Sequence, residues 1–286
     1  MKIIKKILEM QDQSDHLRSS GKKIAFVPTM GFLHEGHLEL MRYGKKTVDT
    51  LVVSIFVNPT QFGPNEDFDA YPRDMEGDLL KVEQVGGDIV FSPEAGEMYP
   101  ADSQTKVVVD KVTKHLCGLS RPGHFDGVTS VVSKLFNIVK PHIAIFGEKD
   151  YQQLAVIRRM VMDLNMGIEI VGIPTVRESD GLAMSSRNAY LNPQERASAL
   201  CLKKALDLAD RLANEGEKNT RTIKRSMEEL ILRHPFTEID YVQLCDPVSL
   251  EDVESIDGET LVALAIKVGR TRLIDNKIIS MKGDFS

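Results

Sequence analysis

Five short apolar runs punctuate the first 175 residues: "IAFV" (24–27), "LVVSIFV" (51–57), "DIVF" (88–91), "IAIF" (143–146) and "IEIVGI" (168–173). They are nearly continuous in apolar character rather than alternating, which predicts parallel strands covered on both faces. Between them, helical periodicity predicts helices near 36–46, 74–85, 127–139 and 150–165. In the last of these Leu154, Ile157, Val161 and Leu164 recur on one face, with Arg158 and Arg159 on another. Strands alternating with helices through right-handed crossovers build an open, doubly wound α/β sheet of Rossmann-like type. Ligands of such sheets lie beyond the carboxyl ends of the strands.

The pattern changes after about residue 176. "NPQERASALCLKKALDLADRLANEG" offers Asn192 as N-cap, Pro193 at the first helical position, Glu195 to complete a capping box, and Gly216 as a stop. A second helix (221–233) ends before Pro235, and three strand-like runs follow: "IDYVQLCD", "TLVALAIKV" and "TRLIDNKII". Helices followed by strands predict a smaller α+β domain, so the expected organisation is 1–176 and 177–286. The start, "MKIIKKILEMQDQSD", meets acidic and amide residues before an apolar core develops, and reads as a first helix rather than a signal peptide. The final "ISMKGDFS" (279–286) reads as frayed.

Composition narrows the function classes. The 286 residues are 42% hydrophobic with a net charge of -6, which opposes a general electrostatic grip on nucleic acid or an anionic membrane. An anionic substrate would therefore need locally concentrated positive charge. No run approaches the roughly 18 apolar residues that span a bilayer. Cys117, Cys201 and Cys245 are widely spaced, odd in number and without a C-x-x-C pair, which predicts core thiols in a reducing cytoplasm.

The unusual residues cluster where strands end. "PTMGFLHEGHLEL" (28–40) has glycine spacing like a P-loop, but His37 stands where lysine belongs and Leu38 where Ser or Thr would hold magnesium. His34 and His37 lack a third ligand for zinc. A Gly-rich turn entering a helix does point N–H groups and a positive dipole end at an anion. Composition leaves a plain loop, a phosphate site and a metal site all open here. "FVNPTQFGPNEDFDAYPRD" (56–74) is long and aromatic for a connector, and Asn58 and Gln61 offer uncharged amides. "FGEKDYQQL" (146–154) combines Gly147, Lys149 as a point charge, Asp150 as cap or ligand contact, and Gln153 one turn beyond Lys149. "VRESDGLAMSSRNAYL" (176–191) gathers Ser185, Ser186 and Arg187 in a loop suited to a polyphosphate. In "RPGHFDGV" (121–128), Arg121 and His124 read as structural or as a secondary substrate contact. His16, His115, His142 and His234 read as surface residues.

Together these segments resemble the pantoate–β-alanine ligase (pantothenate synthetase) family, within the nucleotidyltransferases that bear an H-x-G-H signature. The signature stands as "HEGH" within "PTMGFLHEGH", and "FVNPTQFG", "YPRD", "RPGHFDGV", "FGEKDYQQ", "VRESDGLAMSSRN" and "RLIDN" follow in the family's order over roughly residues 20 to 278. The resemblance implies attack of the pantoate carboxylate on the α-phosphate of ATP, then displacement of AMP from pantoyl adenylate by the amine of β-alanine. It implies that His34, His37, Lys149 and Arg187 act on the phosphates, with His37 the proton donor. Met30, Gly31, Gly36, the backbone of Gly147, Glu148, Lys149 and Asp150, Val176, and Met184, Ser185 and Ser186 would contact the nucleotide. Gln61 and Gln153, with Asn58, would bracket pantoate. Mg²⁺ would accompany ATP; the family can carry an acidic residue at Gly77 and this chain does not, so no protein ligand is named for the metal. A cytoplasmic homodimer joined through the nucleotide-binding domain, closing over the acyl adenylate to exclude water, is also implied. The same superfamily includes adenylyltransferases that act on other acceptors. Such an enzyme does not account for the paired glutamines. A non-catalytic nucleotide sensor does not account for intact His37, Lys149 and Arg187.

Overall fold

Parallel strands form here because β-branched and aromatic residues fill whole segments, leaving no polar face to turn to water. The computed structural model describes residues 1–64 and 66–280. In chain order its regular elements begin with β1 (Lys2–Ile4), α1 (Ile7–Ser19), β2 (Ile24–Thr29), α2 (Glu35–Thr47), β3 (Thr50–Ile55) and α3 (Met75–Gln84). They continue with β4 (Ile89–Phe91), α4 (Ala95–Met98), α5 (Cys117–Ser120), α6 (His124–Val139), β5 (Ile143–Gly147), α7 (Tyr151–Asp163) and β6 (Glu169–Ile173). The last are α8 (Pro193–Ala199), α9 (Cys201–Asn214), α10 (Thr220–Leu232), β7 (Thr237–Cys245), β8 (Thr260–Val268) and β9 (Thr271–Ile279).

The chain divides into two compact units. One comprises Met1–Asp110, Arg121–Glu148 and Gln153–Thr175; the other comprises Lys111–Ser120, Lys149–Gln152 and the chain from Val176 on. The division is thus not a single cut after 176, because two short segments from before that point belong to the second unit.

The first unit carries a six-stranded sheet in the order β1-β4-β3-β2-β5-β6, parallel throughout. This is the doubly wound architecture expected from the apolar runs. Ala25, Val27, Leu51, Val53, Val90, Ile143 and Ile145 form its core with Leu40 and Met41 of α2. At about 25 cal/mol per Å² of apolar surface, burying such side chains is the main favourable term. The N-terminus departs from expectation: Lys2–Ile4 pairs with Ile89–Phe91 as a sixth strand, and the helix starts only at Ile7. β-branched Ile3 and Ile4 suit the edge of a sheet better than the first turn of a helix. His142 also departs from a surface reading. Its Nδ1 accepts the Ile24 N–H at 3.0 Å, tying the start of β2 to the residue before β5. Burial, followed by the Arg18 and Lys23 charges, holds its imidazole below the ordinary pKa.

In the second unit β7, β8 and β9 form an antiparallel sheet in that order. Leu202, Ala205, Leu206 and Ala209 of α9 and Ile223, Met227 and Ile231 of α10 pack in one core with Val242, Leu244, Val262, Leu264 and Ile266. The expected capping box is present: Asn192 accepts from Gln194 and Glu195 N–H, and Glu195 accepts from Asn192 N–H. The single helix expected over 192–216 is two, α8 and α9, parted at Leu200. Ile279, expected in a frayed tail, ends β9 and is buried; from 281 on that tail lies outside the described residues. All three cysteines are free and buried.

Candidate active site

From β2 the chain winds outward through β3 to β4 on one side and later through β5 to β6 on the other, so the carboxyl end of β2 is a topological switch point. A crevice opens there in sheets of this kind. Met30 to His34 occupy that position and α2 begins at Glu35. His34 is the N-cap residue, with extended backbone, and His37 is the third helical residue. His37 supplies half of a capping box, an imidazole standing where the carboxylate usually does, and the His37 N–H donates to the His34 carbonyl at 2.8 Å. His37 Nδ1 accepts the His34 N–H at 3.3 Å. A nitrogen that accepts carries no proton, so the neutral His37 ring holds its proton on Nε2, as a donor. The two ring centroids are 4.1 Å apart.

The turn before them is clamped from α3. Gly31 has φ +81° and Phe32 φ +50°, left-handed values that suit glycine at the first position. A Cβ on Gly31 would also stand 2.9 Å from Asp78 Oδ2. Asp78 itself is 1% exposed. Its Oδ2 accepts the Phe32 N–H and its Oδ1 the Leu33 N–H, each at 2.7 Å, while Lys81 Nζ donates to the Leu33 carbonyl at 2.8 Å. Burial pushes the Asp78 carboxyl above its ordinary range, against the pull of the two N–H groups and Lys81. Neither Asp78 nor Lys81 is singled out by the sequence motifs. The available signal is their spacing of three on a helix directly after "YPRD". Gly77, the position where the family can carry an acid, has its N–H on the Asp74 cap, and a Cβ there would meet Asp74 Oδ2 at 2.2 Å.

The second element follows β3. Asn58, expected to face substrate, is 1% exposed and fully engaged by protein. Its Nδ2 donates to Gln61 Oε1 and to the Gly127 carbonyl, both at 3.1 Å, and its Oδ1 accepts from Thr60 Oγ1 and Tyr99 OH at 2.9 and 2.8 Å. Asn58 therefore holds the loop instead of offering a group to a ligand. Gln61 donates from Nε2 to Met30 Sδ at 3.2 Å, which joins this loop to the end of β2. The Gln61 carbonyl takes His124 Nδ1 at 2.8 Å, and His124 Nε2 faces the Arg121 guanidinium at 3.0 Å. Since arginine can only donate, His124 Nε2 accepts and Nδ1 carries the proton. Glu66 grips Arg121 from both carboxylate oxygens. Burial pushes Glu66 up, but the Arg121 hydrogen bond and charge outweigh it and leave the carboxyl below its ordinary value. At Gly127 a Cβ would lie 2.3 Å from the Thr60 carbonyl oxygen, so α6 touches the loop main chain directly. Arg121 and His124 are thus structural supports of Gln61. Phe62, Phe68 and Tyr71 stack edge-on around the rest of the connector.

Gly147 ends β5, the strand beside β2, Glu148 opens the turn that follows, and Gln153 lies half-buried on α7. Its neighbour Gln152 is the structural one, donating to the Val112 and His115 carbonyls. Lys149, Asp150, Val176 and Met184 to Arg187 belong to the second unit. There Met184 N–H donates to the Val176 carbonyl at 3.0 Å, Arg177 bridges to Ala183, and Ser185 Oγ caps the turn of 186–190 by accepting the Arg187 N–H. Ser186 is buried beneath it. Among the described residues, no group of three or more His, Cys, Asp or Glu gathers as a metal site, and no helix is long and apolar enough to cross a membrane.

The chain matches the model of the pantoate-beta-alanine ligase family over residues 2–278. Pantothenate synthetase of Syntrophus aciditrophicus (strain SB) is 58% identical over 278 residues, 97% of each chain. That of Geobacter sulfurreducens is 58% identical over 279 residues, 98% of this chain and 99% of the relative. Among solved structures, pantothenate synthetase from Thermus thermophilus aligns with TM-score 0.93 at 41% identity, covering 98% of this chain and all of that one. Pantoate-beta-alanine ligase from Francisella tularensis, complexed with beta-gamma ATP and beta-alanine, aligns at 0.81 with 32% identity over 97% of both chains. With a family match across nearly its whole length and relatives of this similarity, the chain belongs to the pantoate–β-alanine ligase family.

Proposed function

We propose that this chain condenses pantoate with β-alanine to pantothenate, consuming ATP through a pantoyl adenylate and releasing AMP and pyrophosphate. The observation that carries the site assignment is the cap that His37 Nδ1 makes on the His34 N–H, which holds a ring N–H donor at the amino end of α2 beside the switch point. In the first step a pantoate carboxylate oxygen bonds to the α-phosphorus and the bond to pyrophosphate breaks. Negative charge grows on the α-phosphoryl oxygens and the departing pyrophosphate, where preorganised donors contribute most. His37 Nε2–H is such a donor, and His34 shares the phosphates with it. Lys149, Arg187 and the N–H groups of Ser185 and Ser186 serve the remaining phosphate oxygens, with Met184 beside them. Met30, Gly31, Gly36, Gly147, Glu148, Asp150 and Val176 line the nucleotide. Gln61 and Gln153 hold pantoate by neutral amide hydrogen bonds, which bind a carboxylate without protonating the nucleophile.

In the second step the β-alanine amine attacks the acyl carbon, the bond to the AMP oxygen breaks, and the ammonium proton is lost to solvent. Asp74 and Asp78 are both spent on main-chain N–H groups, so Mg²⁺ is assigned to the triphosphate it enters with, as part of the substrate. A cytoplasmic homodimer completes the assignment; sedimentation at micromolar concentration giving twice the 32.0 kDa chain mass checks the dimer.

Product analysis tests the reaction. AMP and pyrophosphate formation that requires pantoate and β-alanine together fits. ADP and phosphate would point to an acyl phosphate and overturn the adenylate route. Pyrophosphate release without AMP, with another acceptor, would favour a simple adenylyltransferase.

A further inference from the structure

The "RLIDN" segment of β9 has no role in the reaction as described, yet its Asp275 and Asn276 touch the roots of two phosphate-binding segments. Asp275 is 2% exposed and takes both terminal nitrogens of Arg177, at 2.6 and 2.9 Å. Arg177 also donates to the Gly181 carbonyl at 3.2 Å. Arg177 stands at the base of the 176–187 arm, which folds back on itself through the Met184–Val176 and Glu178–Leu182 main-chain bonds. One residue on, Asn276 Nδ2 donates to the Lys149 carbonyl at 2.8 Å. The pair is coupled, since Asp275 Oδ1 also accepts the Asn276 N–H at 2.8 Å. The paired strand β8 fixes it in register, Asp275 opposite Leu264 and Asn276 opposite Ala263, both buried.

An Arg–Asp pair with its carboxylate buried and its guanidinium part-buried is a weak device for stability, because desolvation offsets most of its attraction and apolar replacements are often neutral. A bidentate fork does set geometry in a way apolar packing does not. We propose that Asp275 and Asn276 are positioning residues for ATP: Asp275 fixes the Met184–Arg187 arm through Arg177, and Asn276 fixes the root of Lys149 through its carbonyl. The two segments thereby share one strand as a common reference, so the Lys149 ammonium and the arm's donors keep their spacing. This rests on the assignment of Lys149 and Arg187 to the phosphates.

A double-mutant cycle on the full-length protein tests it, read as pantoate-dependent exchange of labelled pyrophosphate into ATP, with melting temperature followed in parallel. Asn276→Ala is expected to raise the KM for ATP about tenfold, as a misplaced contact does, without moving the KM for pantoate or the melting temperature by more than a few degrees. In a Lys149→Ala background the same substitution should change the KM for ATP less than about twofold, because interacting sites are not additive. Full additivity would overturn the Asn276 role while leaving the phosphate assignment standing. If Lys149→Ala alone left ATP kinetics unchanged, the phosphate assignment would fail, and the role of Asn276 with it. For Asp275, the variant carrying Asp275→Leu with Arg177→Met removes both charges together and should melt near the parent temperature. Its KM for ATP should still rise about tenfold; a parent-like KM would overturn the Asp275 role.

Discussion

The histidine turn after β2 and the Gln61 loop after β3 sit at the ends of adjacent strands, and each is held by a charged group from a neighbouring helix or its lead-in. They are held differently. The turn is gripped by its main chain: Asp78 takes two N–H groups and Lys81 one carbonyl, all from α3. The loop is gripped by uncharged groups, Asn58 and the His124 ring on the Gln61 carbonyl, with the Arg121–Glu66 pair behind them, and by direct main-chain contact at Gly127. The difference matches what each must present. A donor for a developing charge works by being fixed before the charge appears, whereas an amide that binds a hydroxylated acid needs shape and no charge. The turn should therefore govern turnover and the loop should govern pantoate affinity.

The largest expected effect falls on the turn. His37→Ala should lower kcat by about 10² to 10³, the range for losing one transition-state donor, while the lost cap on the His34 N–H lowers the melting temperature by only a few degrees. A drop confined to the KM for pantoate would erase the contrast with the loop. Next, Asp78→Ala strands two buried N–H groups and should cost about 1–3 kcal/mol of stability for each left unmade, measured by urea unfolding. It should also lower kcat about tenfold by loosening the histidines, with the KM for pantoate in place. Gly127→Ala should do the converse. Alanine suits a helix interior better than glycine, but the new methyl would push the Thr60–Gln61 main chain, raising the KM for pantoate about tenfold at nearly constant kcat.

The smallest effect is one of sign. Burial raises the folded pKa of Asp78 above its ordinary 3.8. The folded state then binds the proton more tightly than the unfolded one, and stability is lost as pH rises from 3.8 through the folded value. Glu66 is shifted below its ordinary 4.5 with Arg121 as partner; its contribution is present above 4.5 and is lost as pH falls through the folded value. Unfolding of Asp78→Asn and Glu66→Gln measured against the parent across this acid range should therefore give difference slopes of opposite sign. Slopes of the same sign would mean that the two clamps share one electrostatic character.

Much of this was legible in the sequence where physics is local. Continuous apolar runs gave away the parallel strands, and Asn192 with Glu195 gave away a helix start, because both depend on near neighbours. The paired histidines were visible for the same reason, though not the cap that His37 makes on the His34 N–H, which depends on the extended backbone of His34. What stayed hidden depends on distant partners. Asp78 lies 46 positions from the Phe32 N–H it accepts, and its residue type alone fits a metal ligand equally well. Asn58 looked like a substrate contact because its type is right; only Gly127, 69 positions away, and Tyr99 show that its hydrogen bonds are spent. β1 was missed because its Lys-rich flanks suit a helix and its partner β4 is far along the chain.

The central claim is that the imidazole pair serves ATP while pantoate attacks. Exchange of labelled pyrophosphate into ATP, with pantoate present and β-alanine left out, measures that step alone. The parent protein should catalyse exchange only when pantoate is added, and His37→Ala should slow it by about 10² to 10³. Absence of exchange in folded protein that still makes pantothenate, or parent-like exchange in His37→Ala, would contradict the claim.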